Sequence, residues 1–232
     1  MQQHDQNSSR RGFLGTLATG AAALGAATLA APLSLTANSV QKSTGSLADA
    51  DAWFNQIKGK HRIVFDVPHA NGIFPFAWPR VFMLTNAATG TTEKDCSVVV
   101  ILRHDAIGYA MKDELWAKYK LGEVFKLPDP ATNQPATRNP FWQPKQGAFS
   151  VPGIGPIAIG VNELQDSGVM FCVCDAALTV YSAAVAQGAG ANAADVKKEW
   201  VAGLLPNIQI VPSGVWAVGR AQEHNCAYCF AG

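Results

Sequence analysis

Five short apolar runs punctuate the chain from residue 61 to its end, separated by stretches of helical character, and no two-residue turn joins any neighbouring pair. HRIVFDVP (61–68), CSVVVILRH (96–104), VMFCVC (169–174), IQIVPSG (208–214) and CAYCF (226–230) carry the β-branched and aromatic residues that suit a pleated backbone. The second is apolar on both faces, as a strand buried between two helical layers must be. Strands linked by helical crossovers pair in parallel. The pattern therefore predicts an α/β protein: a three-layer α/β/α sandwich with a mainly parallel sheet and flavodoxin-like layering. With 232 residues, 48% of them hydrophobic and 15% charged, the chain has material for one sizeable domain.

In the polar lead-in of residues 38–60, SLADADAWFNQIKG predicts a short helix capped by Ser46 and ended by Gly59. Pro79 suits a first helical position, which predicts a helix from there through RVFMLTNAAT to Gly90. YAMKDELWAKYK predicts a helix stopped by Gly122, and DAALTVYSAAVAQG one that closes near Gly188. IAIGVNELQDSG, ADVKKEWVAGLL and GVWAVGRAQEHN supply three more. Residues 121–155 hold six prolines and the aromatics Phe125, Phe141, Trp142 and Phe149 without periodicity, so a long insertion packed as a lid is predicted there.

Ser9, Arg10, Arg11, Phe13 and Leu14 precede a weakly apolar, Ala/Gly-rich run. Residues 1–37 resemble a twin-arginine export signal, whose S-R-R-x-F-L core these residues match. The resemblance implies the twin-arginine translocase as a transient partner, cleavage near Ala30 or Ala37, and a periplasmic protein. The run from Phe13 to Ala31 is too diluted by Gly and Thr for a stable membrane span. Loss of Asp5, Arg10 and Arg11 with the leader takes the formal charge from +1 to zero, and no Lys/Arg block occurs anywhere. That argues against nucleic acid or an anionic membrane as a partner. In an oxidising compartment Cys96, Cys172, Cys174, Cys226 and Cys229 are an odd set, which leaves at least one thiol unpaired within the chain.

Parallel α/β sheets bind ligands beyond the carboxyl ends of their strands. His69 and Asn71 follow the first run, His104 and Asp105 the second, Cys174 and Asp175 the third, and Ser213 the fourth. Cys172 lies within its strand and reads as a small core hydrophobe. Cys174 lies at the strand-to-helix turn, where the helix N-terminus favours thiolate and the Asp175 carboxylate opposes it. A bond between the two cysteines would need strained geometry. His69 and His104 are candidate proton-transfer groups, and Asn71, Asp105, Asp175 and Ser213 candidate substrate contacts.

The tail HNCAYCFAG holds C-x-x-C with His224 just before it, a donor set that suits Zn or Cu. On one strand Cys226 and Cys229 would face opposite ways about 10 Å apart, too far for a disulfide. Phe230 stands where a c-type haem signature requires His, and no dinucleotide fingerprint, Walker loop, H-E-x-x-H or nucleophile elbow occurs.

GVMFCVCDAAL and IQIVPSGVWAVGRAQEHNCAY resemble the DsrE/DsrF-like family. In that family a strand ending in Cys leads into a helix, and a later V-P-[SA]-G-V turn opens a Q-bearing helix before a last short strand. The resemblance covers the chain from about His61 and implies a three-layer sandwich over residues 61–232 that forms homo-oligomers. For catalytic members it implies a persulfide on the strand-end cysteine, here Cys174. The export signal, the Pro-rich insertion and the Cys-rich tail set this chain apart from cytoplasmic sulfur-transfer members. Three functions stand as expectations: cofactor-free sulfur or thiol handling at Cys174, with donor and acceptor unnamed; a noncatalytic metal-binding protein using His69, His104 or His224 with Cys226 and Cys229; or an oligomeric interaction module.

Overall fold

All five apolar runs become strands of one sheet. The computed structural model describes residues 49–232, so the leader of residues 1–37 and the cap assigned to Ser46 lie outside the described residues. Strands β1 (His61–Val67), β2 (Cys96–Leu102), β5 (Met170–Cys174), β6 (Ile208–Val211) and β7 (Ala227–Phe230) pair in the order β6-β5-β2-β1-β7, every pair parallel. Two further short strands, β3 (Ser150–Val151) and β4 (Gly155–Pro156), form an antiparallel pair inside the insertion.

Side-chain alternation explains why β2 reads as one apolar run. Val98, Val100 and Leu102 enter one core with Phe65, Phe171 and Val173, while Val99 and Ile101 enter a second with Val64 and Cys172. Helices cover both faces, so neither set has water to meet. Each such side chain, wholly buried, stabilises the sheet by about 1.5–3 kcal/mol.

The first core is roofed by α2 (Phe74–Ala88), α5 (Val161–Asp166), α6 (Asp175–Ala189) and α7 (Ala193–Ala202), through residues such as Phe76, Leu164, Leu178 and Trp200. The second is roofed by α1 (Ala50–Phe54) and α8 (Gly214–Glu223), through Ala50, Phe54, Ala217 and Ala221. The fold is thus an α/β/α sandwich. Right-handed crossovers account for the division. From β1 to β6 the chain steps outward across the sheet with its helices on one face, and α8 must take the other face to return to the far side of β1. Adjacent strands β5 and β6 therefore send their helices to opposite faces, which makes their carboxyl ends the switch point of the sheet.

Several helix boundaries differ from expectation. α1 ends at Phe54 with Asn55 as its C-cap, well before Gly59. α2 begins at Phe74, and Pro79 lies inside it. The turn at Asn71, whose carbonyl accepts from Phe74 N at 3.1 Å, nucleates the helix upstream of the proline. The predicted helix over 109–120 is a 3-10 segment, His104–Ala110, followed by α3 (Asp113–Tyr119) and α4 (Leu121–Val124). Lys120 in the left-handed region ends α3, not Gly122. Gly122 instead permits a close approach of two backbones, since a Cβ there would collide with the Ala136 carbonyl oxygen. α6 runs past Gly188 and closes on Gly190, whose φ of 63° is left-handed.

The insertion is packed, as its aromatics suggested. Phe125, Phe141 and Phe149 are buried, with Phe141 stacked on Phe76 of α2 at 4.2 Å and on Phe149 at 5.1 Å. Asn139, wholly buried, donates to the carbonyls of Tyr109 and Met111 and accepts from Phe141 N. Among the described residues no helix is long and apolar enough to cross a membrane.

Candidate functional site

The strand-end register brings the chemistry-bearing residues to one edge. β2 and β5 pair Leu102 with Val173, so the next residues, Arg103 and Cys174, stand side by side at the carboxyl edge of the sheet. Cys174 is the N-cap of α6, and its Sγ accepts from Ala177 N at 3.3 Å. Ser213 is the N-cap of α8, its hydroxyl accepting from Trp216 N at 3.2 Å. Two helix N-termini thus open at the β5/β6 switch point, with Ala176 N bonded to the Pro212 carbonyl between them at 3.2 Å.

Arg103 enters this crevice along Gly214. A Cβ on Gly214 would lie 2.5 Å from Arg103 Cβ and Cδ, so a larger residue in the V-P-S-G-V turn would displace the arginine. Its guanidinium is bound bidentately by Asp66 of β1, at 2.6 and 2.9 Å, and Tyr228 of β7 donates to the same carboxylate at 2.9 Å. The Asp66 hydrogen bond, against the desolvation of partial burial, holds the guanidinium above its ordinary pKa, and negative charge on Tyr228 or Cys174 contributes less. Arg103 and Cys174 thus leave adjacent strands at the same level of one edge, with the guanidinium fixed on Asp66.

Cys172 and Cys174 part company as their positions predicted. Cys172 lies in the second core with no exposed surface, and its thiol is pushed far up by desolvation first and by Cys174 second. Cys174, turned by the cap, packs against the first core and keeps 6% of its surface in solvent.

A second cluster lies on the same edge. His69 Nδ1 is 3.0 Å and His104 Nδ1 3.5 Å from Asp105 Oδ2, and the two imidazole rings meet edge to face at 5.0 Å. Tyr181 of α6 places its hydroxyl 3.2 Å from His104 Nε2. Burial, then the Asp105 charge, pushes that phenol up to about 12. His104 has a φ of 52°, a left-handed conformation costing a residue with a Cβ about 1–3 kcal/mol. The backbone kink turns the chain from extended Arg103 into the 3-10 segment. Asp105 Oδ1 is buried and has no hydrogen-bond partner.

The predicted residues divide accordingly. His69, His104 and Asp105 converge, but each imidazole bonds within its own cluster while the Cys174 sulfur bonds to the α6 backbone, so no imidazole-to-thiol hydrogen bond forms among the described residues. Asp175 is held by Lys197 of α7 at 2.8 Å, which ties α6 to α7 and turns the carboxylate's charge to a structural use. Asn71 serves the turn before α2 through its carbonyl. The insertion packs against α2 and does not close over the imidazoles, whose side chains stay 52% exposed.

The tail donors do not converge. Cys226 is buried in the second core, Cys229 packs against the first, and His224 stacks on Phe54. Cys229 lies within β7, which pairs with β1, and Cys226 just ahead of the strand joins the opposite core. All five cysteines are free. Arg103 and Tyr181 were not singled out from the sequence. The strand-end rule that selected His104 reaches Arg103 one residue earlier, and Tyr181 lies seven residues, two helical turns, beyond Cys174.

No family model matches the chain, and no curated protein matches it. A solved structure, that of a protein of unknown function, MTH1491, from Methanobacterium thermoautotrophicum, is similar at 16% identity and a TM-score of 0.37, over 74% of this chain and 99% of that one.

Proposed function

We propose that this chain carries sulfur on Cys174, as an exported DsrE-like thiol protein of the periplasm. The observation that carries the reading is the Cys174 sulfur itself: it caps a 15-residue helix at the switch point of a parallel sheet, with Arg103 alongside. The sulfur accepts from the Ala177 N–H at the N-terminal end of the α6 dipole, and Arg103 leaves the neighbouring strand at the same level. The S-R-R-x-F-L sequence of residues 9–14 supports export, and the resemblance of GVMFCVCDAAL to sulfur-relay proteins supports the chemistry.

In the reaction the Cys174 thiolate attacks the outer sulfur of a donor persulfide. The new Cys174 S–S bond forms as the donor's S–S bond breaks, and the donor leaves as a thiolate with the electron pair. Sulfur is transferred with no external oxidant, and the reverse step unloads it to an acceptor thiolate. Arg103 would lower the cost of negative charge on both sulfurs. The 6% exposure of Cys174 restricts the site to slender donors such as inorganic polysulfide.

Incubation with polysulfide followed by intact-mass measurement tests this. The wild-type chain and Cys172→Ala should each gain a sulfur adduct that dithiothreitol removes, and Cys174→Ala should lose it. Equal labelling of Cys174→Ala would refute the assignment.

A further inference from the structure

Among the described residues, His69, His104 and Asp105 are the one place where three His, Cys, Asp or Glu donors converge, with one donor atom from each within 4.8 Å of the others. We propose that these three residues form a binding site for a divalent transition-metal ion of the zinc class, separate from the thiol and absent from the cysteine-rich tail.

The donor spacing fits the ion. Zinc bonds of about 2.0–2.1 Å in a tetrahedron put neighbouring donors about 3.3 Å apart. The two Nδ1 to Oδ2 separations, 3.0 and 3.5 Å, straddle that edge. Two imidazoles and a carboxylate leave a fourth position, and the 52% exposure of both imidazole side chains opens it to water or a small anion. Neutral imidazole with one carboxylate suits Zn better than the hard ions, which prefer all-oxygen shells.

Two further observations favour an ion over a simple hydrogen-bonded clasp. In a clasp one carboxylate oxygen, Oδ2, serves both imidazoles while Oδ1 stays buried without a partner. A buried carboxylate oxygen left unpaired in this way calls for a partner such as a cation or a water. The second observation is the hydroxyl of Tyr181, 3.2 Å from His104 Nε2 and 3.4 Å from its Nδ1. If His104 binds metal through Nδ1, its Nε2 carries the proton and donates to Tyr181 Oη. Tyr181 would then be the outer hydrogen-bond partner that metal-binding histidines ordinarily have. His104 itself is aimed at Asp105 and Tyr181 by its left-handed backbone, φ 52°.

The site is independent of the thiol reading. Cys174 is not among the converging donors, and Tyr181, the outer partner, lies about 10 Å along the α6 axis from it.

Zinc binding to the purified, chelator-treated full chain, followed by calorimetry with Co2+ absorption as a second readout, tests the proposal. Wild type should bind one equivalent of Zn2+ and give a Co2+ spectrum of tetrahedral type, and Zn2+ should raise its melting temperature. His69→Ala, His104→Ala and Asp105→Asn should each abolish stoichiometric binding and the Zn2+-dependent rise in melting temperature. Because both histidines are half exposed, the metal-free melting temperature of their variants should stay close to wild type. Tyr181→Phe should weaken binding by roughly 10–100-fold. Cys174→Ala should bind Zn2+ as wild type does, and His69→Ala should still take the sulfur adduct, which separates failure of one site from failure of the other. Failure of wild type to bind one equivalent overturns the proposal. So does full binding by a His69→Ala/His104→Ala chain, or loss of binding in Cys174→Ala or Cys226→Ser/Cys229→Ser.

Discussion

Cys226 is buried just ahead of β7, in the core beneath α8, where desolvation, partly offset by Arg62, pushes its thiol up to about 11. A thiol with a raised folded-state pKa contributes stability that is fully present below its unfolded value and is lost as pH climbs toward the folded one. Stability should therefore fall between the ordinary thiol value of 9.0 and about 11. Urea midpoints across that range should decline less in Cys226→Ala than in wild type, and parallel declines would show that another group controls the alkaline limb. At this scale the sequence was informative where position on an element decides chemistry. Cys172 within a strand and Cys174 at its end were separable because a strand-to-helix turn re-aims one side chain and leaves the other. The pairing of His69 with His104 was not separable in that way, since it depends on a left-handed residue that nothing in HDA announces.

The insertion of residues 121–155 shows what can be read at the level of elements. Its aromatics signalled packing, but not the surface it would pack on. Asn139 settles that by binding the Tyr109 and Met111 carbonyls and Phe141 N, so the insertion is stitched to the segment that follows β2. Asn139→Ala would leave those three buried groups unpaired at about 1 kcal/mol each. A loss of about 3 kcal/mol in urea unfolding is expected, with new protease cleavage inside 121–155 while the sheet persists. Unchanged protease resistance would show that the aromatic stack of Phe76, Phe141 and Phe149 holds the insertion alone. Helix boundaries were less legible. Pro79 looked like a start because proline suits a first turn, yet a turn upstream at Asn71 nucleates α2 earlier, and the helix absorbs the missing N–H.

For the molecule as a whole, the last strand completes the sheet beside the first. β7 covers the open edge of β1, Ala231 N bonds to the Asp66 carbonyl at 2.8 Å, and Tyr228 binds the Asp66 carboxylate that holds Arg103. Deletion of residues 227–232 should therefore remove the cooperative thermal transition and release Arg103 from its place beside Cys174. A truncated chain that melts like wild type would refute this coupling. The alternation of apolar runs with helical crossovers determined the layering, because strands linked by helices pair in parallel and bury both faces. Its sequence positions also marked the strand ends at which chemistry could gather. Only the tertiary structure decided that α8 crosses to the second face, which puts the switch point at Cys174, and that Tyr181, two turns along α6, meets His104. Strand order and side-chain aim depend on contacts between residues far apart in the chain, and local propensity carries no record of them.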